Sequence, residues 1–482
     1  MDRKQFLKKT SLAGLGISML PYSVVRPDIN QAANPRIKKK VIVAGAGIAG
    51  LCCAYELMKL GHEVVVLEAS GRYGGTVLSV HDGLSDGLYA DFGAENFTKP
   101  GYENYWKYID EFNLPVIPYL HRENRLTRRN EEWLTREEIL NNRNEEIKNS
   151  GGFNERELRF LSDNPSSNLE HLYLDPYLEN FTDEYQPFGA GYDHLDDVPI
   201  SQIYEKEGAS TAALEMLGGR NTSSLYKLWQ TYIMKKRGYW GDFDLYRLKG
   251  GNEVLPKVFA KHLGTRIRLD CQILSIDHGE EGVTITYREF GEEKKMSADF
   301  LANCLPIPAL KSLIITPDLP SEKKYIFNEI TYAQTTRVIF QARSEFWKED
   351  GLSINLTFNH PALRTIWQVA DEVDTERVAL MAKAPGGTNP LRTLEAFKEY
   401  YPGQKSNINI EQTLVKDWSA DRFAPGCERS GFTRGNLSKF WPHLILPFGR
   451  IHFAGGYADN RSWGMEAATN SANRVAKEID QA

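Results

Sequence analysis

The sequence is poor in cysteine, has no excess of positive charge and contains no long apolar run, and each shortage removes a class of protein. Its five cysteines include the adjacent Cys52 and Cys53 and no C-x-x-C pair, so neither a disulfide framework nor a thiolate metal site is encoded. No other metal-ligand spacing is present, and no metal is expected. Lysine plus arginine number 58 against 64 acidic residues, a formal charge of -6, which leaves no electrostatic footprint for a nucleic acid partner. No stretch reaches the ~18 apolar residues of a membrane span. What is present is an ordinary globular composition, 41% hydrophobic and 25% charged, in 482 residues. Single cores stop growing near roughly 250 to 300 residues, so two or three lobes around a cleft are expected.

The N-terminus stands apart. A basic start, an apolar run from about Ser11 to Val25 and the small residues of QAANPR have the layout of an export signal. Arg3-Lys4-Gln5-Phe6-Leu7-Lys8 resembles the twin-arginine pattern with Lys4 in place of the second arginine, a route that carries folded proteins. Residues 1–35 are therefore read as a signal for export to the periplasm, the alternative being a disordered tail on a cytoplasmic protein.

From residue 39 an apolar β-branched run, helix-forming residues over 48–60 and a second apolar run at 63–67 predict a strand, helix, strand unit with a parallel sheet. Gly45, Gly47 and Gly50 form G-x-G-x-x-G at the first strand-to-helix turn, with Ala49 inside it, and Glu68 closes the second strand. Glycines permit the tight turn and close approach to a pyrophosphate, helix N-terminal amides stabilise its charge, and the carboxylate accepts from ribose hydroxyls. A dinucleotide site follows. Cys52 and Cys53 on that helix read as small packing residues. Residues 102–245 are polar and aromatic, and EEWLTREEILNNRNEEIKNS is expected to be helical; 265–304 and 330–400 alternate as strands.

After Glu68 come Ala69, Ser70, Gly71, Arg72, Tyr73, Gly74, Gly75 and Thr76. Here the sequence resembles the flavin-dependent amine oxidase family, whose members show E-A-x-x-R-x-G-G-R. The resemblance continues through YADFGAENF (89–97), YRLKGGNEVLP (246–256), LDCQILSID with Ile273, ADFLANCLPIPAL, Phe453-Ala454-Gly455 and Met465-Glu466-Ala467-Ala468, in the family's order. It implies FAD as cofactor, held by Gly45, Gly47, Ala49, Gly50, Glu68, Ala69, Arg72, Gly74, Gly75, Thr76, Ile273, Gly455 and Met465. The implied activity is oxidation of a carbon–nitrogen bond by hydride transfer to the flavin N5, with hydrolysis of the imine and hydrogen peroxide released as oxygen reoxidises the flavin. The implied partners are a small-molecule amine and oxygen.

The sequence also departs from the family. Arg337 stands where many members carry the lysine that holds a water near N5, and arginine is not its equivalent. Thr76 replaces an arginine, and Gly456-Tyr457 replaces a glutamate whose hydrogen bonds Asp459 or the loop amides would take over. The segment from Asp417 and Trp418 to Cys427 resembles that of monoamine oxidases, in which the matching cysteine joins the flavin; Cys427 is either that attachment point or an idle small residue. Glu428 takes the place of one cage tyrosine and Trp463 falls near the other, so Arg337, Trp418, Glu428 and Trp463 are the substrate-side candidates. Asn96 lies near the arginine with which L-amino-acid oxidases hold the substrate carboxylate. That loss counts against an amino acid unless another arginine substitutes, while the Glu428 carboxylate favours a cation, and with the acidic residues of 183–197 points to a polyamine or bulky cationic amine, the alternative being that those acids are a solvated surface.

The expected fold is α/β: a Rossmann-like FAD-binding domain from 36–105, 245–320 and 410–482, with an inserted α+β substrate-binding domain from 106–244 and 321–409. Two other functions fit the same cofactor, a desaturase or porphyrinogen oxidase acting on carbon–carbon bonds and a non-catalytic flavin-binding partner. His452, in the strand before the Phe453-Ala454-Gly455 loop, is expected to be structural.

Overall fold

The computed structural model describes residues 37–482, except 122, 150, 240–242, 427–431 and 462. Residues 39–482 form one compact unit. The N-terminal signal reading and the candidates Cys427 and Glu428 lie outside the described residues.

The sheet that carries the glycine motif is five-stranded and wholly parallel, in the order Ile267–Arg268, Glu63–Leu67, Lys40–Ala44, Phe300–Asn303, Ile451–Phe453. Both faces are covered, as a parallel sheet requires. Alternation along the first strand divides its side chains: Val41 and Val43 pack against helix Ile48–Lys59 and helix Gly464–Gln481, while Ile42 and Ala44 pack into a second core with Ile276, Ile285 and Ile307. Burial of each valine and isoleucine contributes roughly 1.5–3 kcal/mol. Cys52 and Cys53 are buried in the first of these cores, and burial pushes the Cys52 thiol well up, which fits packing rather than reactivity.

A meander of Cys271–His278, Val283–Glu289 and Glu292–Ala298 is antiparallel, with Ile314–Thr316 joining its edge. The second large sheet has seven strands, in the order Ile410–Asp417, Thr335–Ala342, Val378–Pro385, Leu363–Val369, Leu356–His360, Leu126–Arg129, Glu132–Thr135. Two sequence expectations change here. Glu132–Thr135 is a strand in a hairpin with Leu126–Arg129, and only Arg136–Asn149 of that segment is helical. Trp133 decides it by packing edge-on against Phe358, 5.2 Å between centroids, so tertiary burial overrides local helix propensity. Residues 410–417, grouped with the nucleotide-binding pieces by sequence, pair along Thr335–Ala342 instead. Helices fill much of 155–236, with Tyr173, Tyr204 and Trp229 buried between them. Among the described residues no helix is long and apolar enough to cross a membrane.

Candidate active site

The turn between Lys40–Ala44 and Ile48–Lys59 is shaped by its glycines. A Cβ on Gly50 would lie 1.9 Å from the Gly45 carbonyl oxygen, so no other residue fits without moving the turn. The second glycine pair closes over the first: the Gly74 N–H donates to Ala46 O at 2.8 Å, and a Cβ on Gly75 would stand 2.9 Å from Gly47 Cα. Helix Ile48–Lys59 has no side-chain cap and no acid in its first turn, leaving its N-terminal amides for an anion.

Glu68 faces this turn. Its Oε2 accepts from Ala46 N at 2.7 Å, and its Oε1 accepts from Ser70 N at 2.9 Å and Ser70 Oγ at 2.7 Å. A carboxylate has about four acceptor sites, so one remains for a ribose hydroxyl. Arg72 donates to the Gly75 carbonyl at 2.7 Å, tying its guanidinium to the glycine loop.

These residues open on one cavity of about 610 Å³. Gly45, Gly47, Ala49, Glu68, Ala69, Arg72, Gly75, Thr76, Ile273, Gly455 and Met465 line it, and so does Arg337 from the seven-stranded sheet. Gly50 and Gly74 do not line it; they hold the turn beneath it. Close-packed backbone, uncapped helix amides and a carboxylate with spare acceptor capacity fit the pyrophosphate and ribose of FAD.

The substrate-side candidates separate. Arg337, with its side chain 8% exposed, donates from Nη1 to Glu95 Oε2 at 2.6 Å, and its guanidinium lies 5.7 Å from the centre of the Trp367 ring. Burial pushes the Glu95 carboxyl up, but the Arg337 charge outweighs it and holds the pKa below its ordinary value. Trp418 is fully buried and does not line the cavity. Its Nε1 donates to Phe92 O at 2.7 Å while the Lys416 ammonium sits 4.7 Å over its ring, so it is a packing residue. Trp463 reaches the cavity through Tyr102, which lines it and stacks on the Trp463 ring at 6.1 Å and 15°. Asp459 is buried away from the cavity, accepting from Tyr185 at 2.6 Å and Asn470 at 3.0 Å, so it does not replace the missing glutamate. His452 pairs with Glu478 at 2.8 Å, a structural contact.

Three residues escaped the sequence reading. Glu95 and Lys383 line the cavity, and Lys383 stands in register opposite Arg337 on the adjacent strand. A lysine is thus present, one strand over from where the family pattern places it. The third, Arg461, lies against Trp463, its guanidinium carbon 3.7 Å from the ring centre.

Comparison with known proteins decides the family, because the model for flavin containing amine oxidoreductase matches residues 48–480. The chain belongs to that family. It is a FAD-dependent amine oxidoreductase, and the carbon–carbon desaturase and non-catalytic readings have no comparable support. An L-amino-acid oxidase of Demansia vestigiata is 26% identical over 94% of this chain and 88% of its own length, and one from Cerastes cerastes is 26% identical over 95% and 90%. Among solved structures, a putrescine oxidase bound to putrescine aligns with a TM-score of 0.70 at 18% identity, covering 93% of this chain and all of that one. Cyclohexylamine oxidase from Brevibacterium oxydans IH-35A aligns with 0.70 at 20%, covering 92% and 100%. These two share the fold.

Proposed function

We propose that the cavity oxidises a primary amine at the carbon bearing nitrogen, with oxygen as the final electron acceptor. The observation that carries this is the single cavity in which the glycine turn and Glu68 meet Arg337 and Lys383 from the other sheet. FAD held there would supply the two-electron acceptor for removal of hydride from the carbon bearing nitrogen, leaving an imine for water to hydrolyse. The chain's own residues bind and orient. Gly45 to Gly50 and Arg72 take the pyrophosphate, Glu68 takes the ribose, and Ile273 and Met465 wall the cavity with apolar surface. Lys383, an exposed lysine, lines the same cavity and adds positive charge to its wall. A cation on the wall disfavours a second one nearby and so favours the neutral amine, the form that can be oxidised. The Arg337–Glu95 pair is internally compensated and shapes the wall.

The experiment is direct. Purified protein is expected to be yellow, to release FAD on denaturation, and to produce one hydrogen peroxide per oxygen consumed when given its amine. Protein that binds FAD but reoxidises only with an artificial acceptor would move the reading from oxidase to dehydrogenase. Export through residues 1–35 is part of the proposal, supported by the Arg3 to Lys8 string. A folded-reporter fusion to these residues should reach the periplasm and lose export with Arg3→Ala.

A further inference from the structure

Cys53 and Cys304 are far apart in the sequence, and the fold brings them together beside the glycine turn. Helix Ile48–Lys59 meets the sheet at Gly50, where a Cβ would stand 1.9 Å from Gly45 O and 3.4 Å from Val43 Cγ1. Cys53, one turn further on, lies on the same side of the helix. Cys304 follows strand Phe300–Asn303, which pairs in parallel with Lys40–Ala44, and its N–H donates to Ala44 O at 3.0 Å, so it stands next to Gly45. Cys53 is fully buried, and Cys304 packs against the cluster that contains it. Cys52, although adjacent in sequence, points elsewhere and donates to the Tyr108 hydroxyl at 3.2 Å; Cys271 donates to Glu289 at 3.4 Å.

The two sulfurs have different roles. The hydrogen bond with Cys304, and burial after it, holds the Cys53 pKa well above its ordinary value, so the Cys53 S–H donates and Cys304 Sγ accepts. Cys304 is half-buried and lines the cavity that the glycine turn lines. An accessible sulfur backed by a buried thiol that donates to it is the arrangement of an attacking cysteine beside its resolving partner.

We infer that Cys53 and Cys304 form a peroxide-responsive dithiol, oxidised to a disulfide that loosens the hold on the cofactor. The oxidant is hydrogen peroxide, and the inference rests on the oxidase reading for its source. Cys304 Sγ attacks one peroxide oxygen and the O–O bond breaks, leaving a sulfenic acid and one water. Cys53 Sγ then displaces the sulfenic hydroxyl, forming the S–S bond and a second water. Two thiols lose two electrons and two protons, and the peroxide takes up both. Closing the bond draws the sulfurs together, and the helix cannot yield because Gly50 already sits against Gly45 O. Cys304 must move instead, and with it Leu305 and Pro306, which line the same cavity.

The test treats holoenzyme with hydrogen peroxide, alkylates and digests it for mass spectrometry, and reads retained flavin from the visible absorbance after desalting. Wild type is expected to lose two alkylatable thiols, to give a peptide pair joined through Cys53 and Cys304, and to bind FAD about tenfold more weakly, all reversed by dithiothreitol. Cys53→Ala should give no joined pair and should accumulate on Cys304 a higher oxide that dithiothreitol does not remove. Cys304→Ser should leave Cys53 reduced and its own flavin retention unchanged by peroxide, and it stands in if Cys53→Ala does not fold. Peroxide that leaves both thiols alkylatable, a sulfinic acid on Cys304 beside a free Cys53 in wild type, a disulfide through another cysteine, or a joined pair with unchanged FAD binding would each overturn the inference. A second arm tests the source of the oxidant. Aerated holoenzyme given L-phenylalanine, putrescine or cyclohexylamine should form the same joined pair, and catalase should prevent it. A pair that forms with added peroxide but with none of these amines would count against the oxidase reading and not against the dithiol.

Discussion

Arg337 and Glu95 form a 2.6 Å ion pair on the wall of the cavity that the glycine turn lines, joining the seven-stranded sheet to the segment that follows the glycine cradle. Both side chains are largely buried, so removing one partner leaves a charge where water cannot compensate it. Glu95→Gln is expected to cost about 3–5 kcal/mol of stability, read from a denaturant midpoint. The pH dependence has a defined sign. The folded-state pKa of Glu95 is depressed, so its contribution is present above the unfolded value near 4.5 and is lost as pH falls through the lower folded value. The variant should therefore show a shallower acid limb than wild type.

Lys323 gives a slope of the same sign in a higher pH window. It donates to His443 O at 2.8 Å and lies 3.9 Å over the Phe453 ring, and burial pushes its pKa from 10.5 down to about 7. Between those values the unfolded chain binds the proton that the folded one has released, so stability rises with pH across that window. Lys323→Met should flatten the rise, a difference of up to about 5 kcal/mol between pH 6.5 and 10.5. An unchanged slope would show that Lys323 stays charged in the folded protein.

Gly50→Ala tests the cradle. Its Cβ would meet the Gly45 carbonyl oxygen at 1.9 Å, too close for a small adjustment. The variant should purify without flavin, judged from the ratio of visible to protein absorbance. Glu68→Gln keeps the shape but weakens the acceptor, and its FAD dissociation constant should rise about 10- to 150-fold.

Trp418 separates a packing role from a chemical one. Trp418→Phe removes the donor to Phe92 O and should lower stability by about 1–3 kcal/mol with kcat within about twofold of wild type. A large fall in kcat with stability unchanged would place it in the chemistry.

The cofactor half of the site was legible because it is local. Gly45, Gly47, Gly50 and Glu68 belong to one strand, helix, strand unit whose spacing has a physical reason, and the βαβ unit appears where the apolar runs predict it. The substrate half is assembled from separate strands and loops. Lys383 faces Arg337 only because two strands pair in one register, and nothing near VALMAKAP announces it. Arg461 reads as an ordinary surface arginine until burial and the Trp463 ring are seen. The strand Glu132–Thr135 was hidden for a related reason, since its pairing and the Phe358 contact outweigh a helix-rich composition.

Anaerobic mixing of the purified protein with primary amines, polyamines and L-amino acids, followed through the visible flavin bands, tests the central claim most directly. Bleaching by amine-bearing substrates is the expected result. A yellow protein that none of them bleaches would contradict amine oxidation, and a colourless protein that cannot be reconstituted with FAD would contradict the cofactor assignment itself.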